Sequence, residues 1–382
     1  MIKIASFNVE NLFERPRAFN LTNLNGENPV LEAYREVNVL IKQDEYSAAD
    51  KQRIRALLVT LGIYFINGQD AIRRSEQFPP QWAWLRNNRG TFDRQPQDES
   101  QSVEIIANGR GSWIGWVELV TEPTDEMGTR TTARVIQEVN ADILGIIEAE
   151  DRPSLVRFNE ELLNKHYRHA MLVDGNDDRG IDVGIMTREN FEILSICSNV
   201  DSVDNVGQIF SRDCPQYEIR TPNGNIVHVL VNHFKSQSGG GGSKRRRQAN
   251  KVREIADSLM DHEQHVVVLG DLNEGPPNGS TQAINLAGLY NNGSRLIDCY
   301  SLDDFDIGTR PGSYDSCGLS NRLDYIFISE SLRESFRGGG LFRKGLWGSR
   351  ISRPTNWETY PEMEESVHQA SDHAVAFVNL DI

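Results

Sequence analysis

Three polar side chains follow an apolar run in "VVVLGDLNE", residues 266–274, and their types could do chemistry. The run has the pattern of a strand that is buried on both faces, and Gly270 interrupts it before Asp271, Asn273 and Glu274. Because Asp and Asn are ordinary turn residues, a polar turn also explains the stretch. In layered α/β folds, however, ligands bind at the carboxyl ends of central strands. A site is therefore predicted if other strands end in the same way.

Several other predicted strands also carry a polar residue at one end. Each of these residues has a structural explanation when taken singly, as a cap, a turn or a satisfied hydrogen-bonding group. Together they combine carboxylate, amide and imidazole groups, which suit a hard cation and proton transfer. We therefore expect them to form one site. The residues are Asn8, Glu148, Asn232, His233, Lys235, Asp324, Asp372 and His373.

Strands that alternate with helices position these side chains. Apolar runs such as "DILGIIEA" and "NIVHVLVNHF" are separated by helical patterns, for example at 129–140 and 245–261. This alternation predicts an α/β class. Antiparallel additions, one of them with an Asn223-Gly224 hairpin turn, predict mixed sheets and not one purely parallel sheet.

Residues from about 14 to 123 follow a different pattern. Two amphipathic segments, 29–43 and 47–66, are predicted to be helices, and a hairpin is predicted at 103–120. An aromatic, Arg-rich stretch lies between them at 77–94. We interpret this block as an insertion into a single domain that spans residues 1–382.

Composition and charge narrow the possible classes of protein. The 382 residues are 38% hydrophobic and 25% charged, as in an ordinary globular protein, and no apolar run approaches membrane-spanning length. The N-terminus is typical of a first strand and not of a signal peptide, and the four cysteines are scattered. These features predict a cytoplasmic location. The net charge of −15 argues against a passive nucleic-acid coat, and only weakly against an enzyme that acts on phosphates.

The order of the motifs resembles that of the endonuclease/exonuclease/phosphatase superfamily, which includes the DNase I-like nucleases. The resemblance covers essentially 1–13 and 140–382, and it implies a DNase I-like four-layer α/β sandwich, with two mixed sheets packed face to face and flanked by helices. The motifs are "FNVENLF" at 7–13, "GIIEAED" at 145–151, "RGIDVGIM" at 179–186, "FSRDCP" at 210–215, "NHFKS" at 232–236, "GDLNE" at 270–274, "RLDYIF" at 322–327 and "SDH" at 371–373.

The resemblance also implies a role for each site residue. Hydrolysis of a phosphodiester needs an activated water and neutralised phosphate oxygens, and Mg²⁺ (or Mn²⁺) is the implied cofactor. The implied metal ligands are Glu148, Asp372 and Asn8, and the implied catalytic residues are His373, Asp271, His233 and Asp324. The implied phosphate- or substrate-binding residues are Asn273, Asn232, Lys235, Arg212 and Arg179. Ile147 stands where many members carry Gln before the metal-binding Glu.

Two basic segments bear on the substrate. The segment 235–253 is a Gly-rich turn that leads into a basic helix, and 337–357 mixes five cationic side chains with Phe and Trp. A flexible connection with a solvated helix face explains the first segment as well as a mobile phosphate clamp does. Basic residues interleaved with aromatics suit phosphate contact and base stacking. We therefore predict a nuclease with a nucleic-acid substrate and no stable membrane association.

Other functions remain possible on the same fold. A phosphatase or a lipid phosphodiesterase of the sphingomyelinase type would keep every core residue and differ only in its loops. A non-catalytic binding module is disfavoured, since the full set of acidic, amide and His positions is present. The "HEQH" tetrad at 262–265 is a weak zinc motif because it lacks partners. A protein partner could bind through the insertion.

Overall fold

The computed structural model describes residues 1–20, 28–177, 180–237, 240–277, 280–291, 293–348 and 352–382. The chain forms two compact units. One contains Met1–Phe13 together with Thr124–Ile382, and the other is Glu14–Pro123. Among the described residues, no helix has both the length and the apolarity of a membrane span.

The first unit contains two mixed sheets. In the seven-stranded sheet the parallel pair Ile2–Asn8 and Ile143–Ala149 lies at the centre, and the other strands are mostly antiparallel. Its spatial order is His169–Val173, Asp182–Thr187, Ile143–Ala149, Ile2–Asn8, Val375–Leu380, Phe336–Phe342 and Phe305–Asp306. The six-stranded sheet has the order Glu192–Cys197, Gln216–Arg220, Ile226–His233, His265–Asp271, Asp324–Ser329 and Leu296–Asp298.

Helices cover the outer face of each sheet. The helices of this unit are Glu126–Val139, Arg152–Glu161, Gly242–Met260 and Ala287–Tyr290, with short 3₁₀ turns at Ile284–Leu286, Cys299–Ser301, Leu319–Asn321, Glu330–Ser335 and Ser366–His368. A small hairpin pairs Val203–Asp204 with Gly207–Gln208.

Three apolar cores hold the layers of this unit together. Between the sheets, Ile4 and Ile147 of one sheet pack in the same core as Leu269 and Ile326 of the other. A second core joins the seven-stranded sheet to two helices, and a third joins the six-stranded sheet to helix Gly242–Met260. The four-layer α/β sandwich is therefore confirmed. Burial of these branched side chains on both faces explains why the central strands read as continuous apolar runs.

The unit Glu14–Pro123 has a hydrophobic core of its own, in which Val37, Leu58 and Trp113 are fully or almost fully buried. Its helices are Pro29–Leu40 and Ala48–Thr60, with a 3₁₀ turn at Arg17–Asn20. Its strands form four pairs: Glu14–Pro16 with Thr121–Pro123, Tyr64–Ile66 with Ile72–Arg74, Ala83–Arg89 with Ile114–Leu119, and Asp93–Arg94 with Glu104–Ile105. That this unit is an insertion into one domain stays a prediction.

Two local predictions for this unit were wrong. The second helix ends at Thr60, because Gly62 adopts a positive φ of 69° and the next residues form a strand. The hairpin at 103–120 does not form, since its two halves pair with different strands. Gly109, near its expected turn, packs on another loop so closely that a Cβ would lie 1.9 Å from the carbonyl oxygen of Asp44. A tertiary contact therefore replaces the turn.

Gly270, directly before Asp271, lies in very close contact with the backbone of the neighbouring strand. Its φ is +137°, and a Cβ there would lie 1.9 Å from the carbonyl oxygen of Asn232 on the neighbouring strand. We expect Gly270→Ala to lower the free energy of unfolding by about 2 to 4 kcal/mol, measured by urea denaturation. Gly207→Ala is the control, because Gly207 has a φ of +119° with open space around it. Equal losses in the two variants would contradict the role of the close contact.

Candidate active site

The strand ends of the six-stranded sheet bring three of the predicted residues side by side. Strands Ile226–His233 and His265–Asp271 are parallel, and His233 pairs in register with Asp271. Asp271 in turn pairs with Asp324, the first residue of the next strand. An amide from the other sheet joins them, since Asn8 Nδ2 lies 3.3 Å from Asp271 Oδ2. Side chains from both sheets therefore meet at one end of the sandwich.

A β-bulge directs Glu148 toward this cluster. The register of strand Ile143–Ala149 shifts between Ile147 and Ala149, and Glu148 has a positive φ of 65°. Ile147 and Ala149 on either side are fully buried, whereas the Glu148 side chain is 21% exposed. A bulge re-aims a side chain that regular alternation would place elsewhere. Glu148 Oε1 consequently lies 3.3 Å from His233 Nε2.

His373 is held in one orientation by Asp324. Its Nδ1 lies 2.7 Å from Asp324 Oδ2, and the Asp324 side chain is completely buried. Nδ1–H therefore donates to the carboxylate, and Nε2 faces Asp271 Oδ2 at 3.9 Å and Asp372 Oδ1 at 3.8 Å. The ring of Tyr314 lies beside the imidazole, with the ring centres 4.8 Å apart. Burial alone would lower the pKa of His373, but the carboxylates of Asp324, Asp271 and Asp372 together raise it well above its usual value.

Asp271 lies between the two histidines. His233 Nε2 lies 3.7 Å from its Oδ2, and His373 Nε2 lies 3.9 Å from the same atom. The backbone and side-chain amides of Asn273 also donate to this carboxylate, at 2.8 and 3.1 Å. Burial raises the pKa of Asp271 to about 7, against the opposing effect of His373. A carboxylate with such a pKa can accept and release a proton near neutral pH.

Arg212 lies behind His233 and is almost inaccessible. Its side chain is 2% exposed, its Nε lies 3.2 Å from Asp177 Oδ2, and its Nη2 lies 3.3 Å from His233 Nε2. The resemblance implied that Arg212 binds substrate phosphate. In this arrangement its guanidinium contacts His233 and Asp177, and its role toward substrate stays a prediction.

Other predicted substrate-binding residues mostly contact the protein. The Asn232 amide donates to the carbonyl oxygens of Leu230 and Leu269, along its own sheet. Asn273 also donates to the Phe234 carbonyl oxygen, at 3.2 Å, and Lys235 Nζ lies 3.1 Å from Ser236 Oγ. Arg179 lies outside the described residues.

Some residues near the site were missed by sequence reasoning. Glu10 accepts the backbone N–H of Asp372 at 3.1 Å, and Ser313 Oγ accepts the backbone N–H of Asp324 at 3.0 Å. Tyr314 is a third, and the carboxylate of Asp372, followed by burial, raises its pKa. The position of Glu10, two residues after Asn8 in "FNVENLF", was a usable signal. Ser313 and Tyr314 come from a loop without a comparable pattern.

Several cationic side chains of the two basic segments bond to other groups of the protein. Arg245 Nε lies 2.6 Å from Glu274 Oε2 in a buried pair, and Arg247 lies 2.6 Å from Asp204. In 337–357, Arg343 donates to backbone carbonyl oxygens and Lys344 contacts Glu138. Arg350 of this segment lies outside the described residues. Arg245 and Arg247 of the first segment therefore bond to carboxylates of the protein itself, and a phosphate clamp in this segment stays a prediction.

The Arg245–Glu274 pair has a structural consequence that can be measured. Arg245 also donates to the carbonyl oxygens of Lys235 and Ser236, and so it ties the chain after His233 to the chain after Asp271. We expect Arg245→Ala to lower the free energy of unfolding by about 3 kcal/mol, because the buried Glu274 would lose its cationic partner and keep only the hydrogen bonds from Asn285. The control Arg246→Ala, at an exposed position, should change it by less than about 0.5 kcal/mol in the same denaturation experiment. Similar small losses in both variants would contradict this role.

The donor set fits a hard divalent cation. The ligand atoms of Glu148, His233 and Asp271 lie within 4.8 Å of one another, and so do those of Asp271, Asp324 and His373. The first group offers two carboxylates, one of them partly open to solvent, and oxygen ligands of this kind suit Mg²⁺ or Mn²⁺. Asp372, a predicted ligand, does not belong to either group and lies beside His373. The roles of the individual site residues stay predictions.

Comparison with known proteins identifies the family. The sequence model of the Endonuclease/Exonuclease/phosphatase family matches residues 87–338, more than half of the chain. The chain belongs to this family. Endonuclease/exonuclease/phosphatase members are hydrolytic enzymes that depend on divalent metals, and the carboxylate and imidazole groups described above are of the kind that such chemistry requires. No curated protein matches the sequence.

Several solved structures are similar to this chain. The mannosyl-6-phosphatase of Bacteroides thetaiotaomicron is 19% identical, with a TM-score of 0.49 over 67% of this chain and 92% of that chain. The human Nocturnin catalytic domain is 15% identical, with a TM-score of 0.49 over 68% and 88%. Truncated Caenorhabditis elegans TDP2 is 17% identical, with a TM-score of 0.46 over 67% and 91%. None of these likenesses assigns a substrate to this chain.

Proposed function

We propose that this protein is a nuclease, a phosphodiesterase that hydrolyses nucleic acid with the help of Mg²⁺ or Mn²⁺. The observation that carries the proposal is the convergence of two imidazoles, His233 and His373, on the carboxylate of Asp271. A carboxylate base between two imidazoles suits the hydrolysis of a phosphodiester, because the attacking water must lose a proton and the leaving alkoxide must gain one. By resemblance, a second histidine at the position of His233 is a feature of the DNase-like and sphingomyelinase-like branches, which cleave diesters.

Each residue has a distinct task in this proposal. Asp271 orients the attacking water and accepts its proton. His373, kept protonated by Asp324, donates a hydrogen bond to a phosphate oxygen and opposes the negative charge that develops there. In this proposal His233 protonates the leaving oxygen. Glu148 would hold the divalent cation, which when bound supplies Lewis-acid neutralisation of the phosphate.

Positive charge beside His233 supports a polyanionic substrate. Lys235 follows His233 by two residues, and its side chain is partly exposed. Lys244, at the start of the basic helix, is also partly exposed. A cationic rim of this kind on a chain with a net charge of −15 would attract a phosphate backbone locally.

The test is cleavage of labelled DNA and RNA in single-stranded, double-stranded and circular forms, with Mg²⁺, Mn²⁺ or EDTA. We expect metal-dependent cutting that is lost in EDTA and in His373→Ala, and cutting of circles would establish an endonuclease. A chromogenic phosphodiester and a phosphomonoester are assayed in parallel. Release of phosphate from the monoester without cleavage of any polynucleotide would overturn the nuclease proposal in favour of a phosphatase. Cleavage of choline-type diesters alone would favour the lipid branch.

A further inference from the structure

A cavity in the unit Glu14–Pro123 has the features of a ligand site. Its volume is about 500 Å³, within the range of small-molecule sites, and all of its lining residues belong to this unit. It lies along strand Ala83–Arg89 and takes in the ends of the two short strand pairs that contain Tyr64 and Asp93. None of its lining residues belongs to the candidate active site.

Aromatic rings form much of its wall. Phe92 and Trp113 are buried and in contact, with ring centres 4.5 Å apart. Phe78 and Trp84 lie nearer to solvent, edge to face at 5.5 Å, and Phe78 is 86% exposed. A bound ligand that covers the Phe78 ring would remove its apolar surface from water, which favours binding. The exposed ring of Phe78 offers a flat, unsaturated ligand a stacking contact that a flexible aliphatic one cannot make.

One part of the wall carries a fixed cation. The guanidinium of Arg74 pairs with Asp93, whose side chain is 2% exposed, while Arg74 itself is 53% exposed. The hydroxyl of Tyr64 donates to the other oxygen of the same carboxylate. A buried acid that receives two donors orients the arginine, and Nη2 is the only guanidinium nitrogen of Arg74 with a bond in the part of the chain that the structure describes. The remaining N–H groups suit an anionic ligand group.

Hydrogen-bonding groups complete the cavity. Gln77 and Asn87 at its edge offer amides, and Glu76 offers a carboxylate. The indole Nε1 of Trp113 is buried and has no acceptor among the described residues. Such an orphan donor calls for an acceptor, which a ligand or a water that it holds would supply.

We propose that this cavity binds a nucleotide, with the base among the aromatic rings and the phosphate at Arg74. A nucleotide combines a flat ring, hydrogen-bonding edges and an anionic group, which match the three features of the wall. The same chemistry has two sources, a free nucleoside monophosphate or one unit of a polynucleotide strand. Only the second source rests on the proposed nuclease function.

The experiment measures binding by isothermal titration calorimetry with full-length protein in EDTA, in a His373→Ala background so that no strand is cut. The probes are adenosine monophosphate, adenosine, inorganic phosphate and a single-stranded 12-mer. We expect Phe78→Ala and Trp84→Ala to weaken nucleotide binding by roughly 5- to 100-fold through lost stacking. Arg74→Gln should remove the preference for the monophosphate over adenosine. Trp116→Ala is the matched control, because Trp116 is 46% exposed and does not line the cavity.

The outcomes separate this inference from the proposed function. Binding of the monophosphate that depends on Phe78 and Trp84 supports a free nucleotide, and the same dependence for the 12-mer alone supports a strand. The inference is overturned if neither probe binds at millimolar concentration, or if binding is equal in the cavity variants and in Trp116→Ala. Inorganic phosphate that binds as tightly as the monophosphate would also overturn it. Nucleotide binding without any polynucleotide cleavage by the wild type would instead remove only the nuclease proposal.

Discussion

Replacing His373 with Ala is expected to lower kcat by about 10²- to 10³-fold, because it removes the protonated imidazole that faces Asp271 and, in the proposed mechanism, donates a hydrogen bond to the phosphate. The measurement is the initial rate on a chromogenic phosphodiester and on DNA at saturating Mg²⁺. His262→Ala is the control, since His262 is an exposed histidine at a helix end whose ring contacts only the Ser258 carbonyl oxygen among the described residues. A rate within tenfold of wild type for His373→Ala would contradict its catalytic role.

A double-mutant cycle separates the task of Asp324 from that of His373. Asp324 touches the imidazole through its 2.7 Å hydrogen bond, so it is a positioning residue. We expect Asp324→Asn alone to cost about 10²-fold or more, and to cost little further in the His373→Ala background. Because Asp324 raises the pKa of His373, its loss should also move the alkaline limb of the rate profile to lower pH. Additive losses, or an unmoved limb, would indicate that Asp324 acts only on folding.

The second large effect is expected for Asp271→Asn, which we predict to lower kcat by about 10²- to 10⁴-fold with little change in substrate affinity. The substitution keeps the size of the side chain but removes the carboxylate that accepts the proton of water. In the wild type, burial raises the pKa of Asp271 to about 7, so the base is lost by protonation as the pH falls below that value. The rate of the wild type should therefore fall on the acidic side of neutrality.

The pH profile of kcat and a matched substitution test this role. Asp271→Asn should lack the acidic limb in whatever activity remains. Asp261→Asn is the control, because that carboxylate is 68% exposed and pairs with Arg295 on the surface. Should Asp271→Asn retain both the rate and the acidic limb of the wild type, another group would have to be the base.

The class of fold could be predicted from the sequence because it depends on patterns among neighbouring residues. Continuous apolar runs such as 266–269 require burial on both faces, and strands that alternate with helices form layered sheets. Once two such strands are parallel neighbours, their last residues meet at one edge. The meeting of His233 with Asp271 is a direct consequence of this rule.

Features that depend on distant partners were not predictable. The bulge that re-aims Glu148 lies between Ile147 and Ala149, and none of these three residues is a glycine or proline that would indicate it. The predicted hairpin at 103–120 does not form because its two halves pair with the strands Asp93–Arg94 and Ala83–Arg89. Arg245 lies in a basic segment whose composition suggested phosphate binding. Its partner in the structure is instead Glu274, which lies 29 residues away in the sequence.

The sequence by itself determined the class of fold, the family and the set of polar strand ends, since hydrophobic periodicity and residue type act over a few neighbours. Only the tertiary structure decided which charges face solvent and which are used internally, because a guanidinium is satisfied by whichever carboxylate the fold brings within reach. It also decided that the aromatic, Arg-rich stretch at 77–94 lines a cavity, with Asp93 holding Arg74. Stacking and ion pairing over such separations depend on packing, which no local pattern encodes.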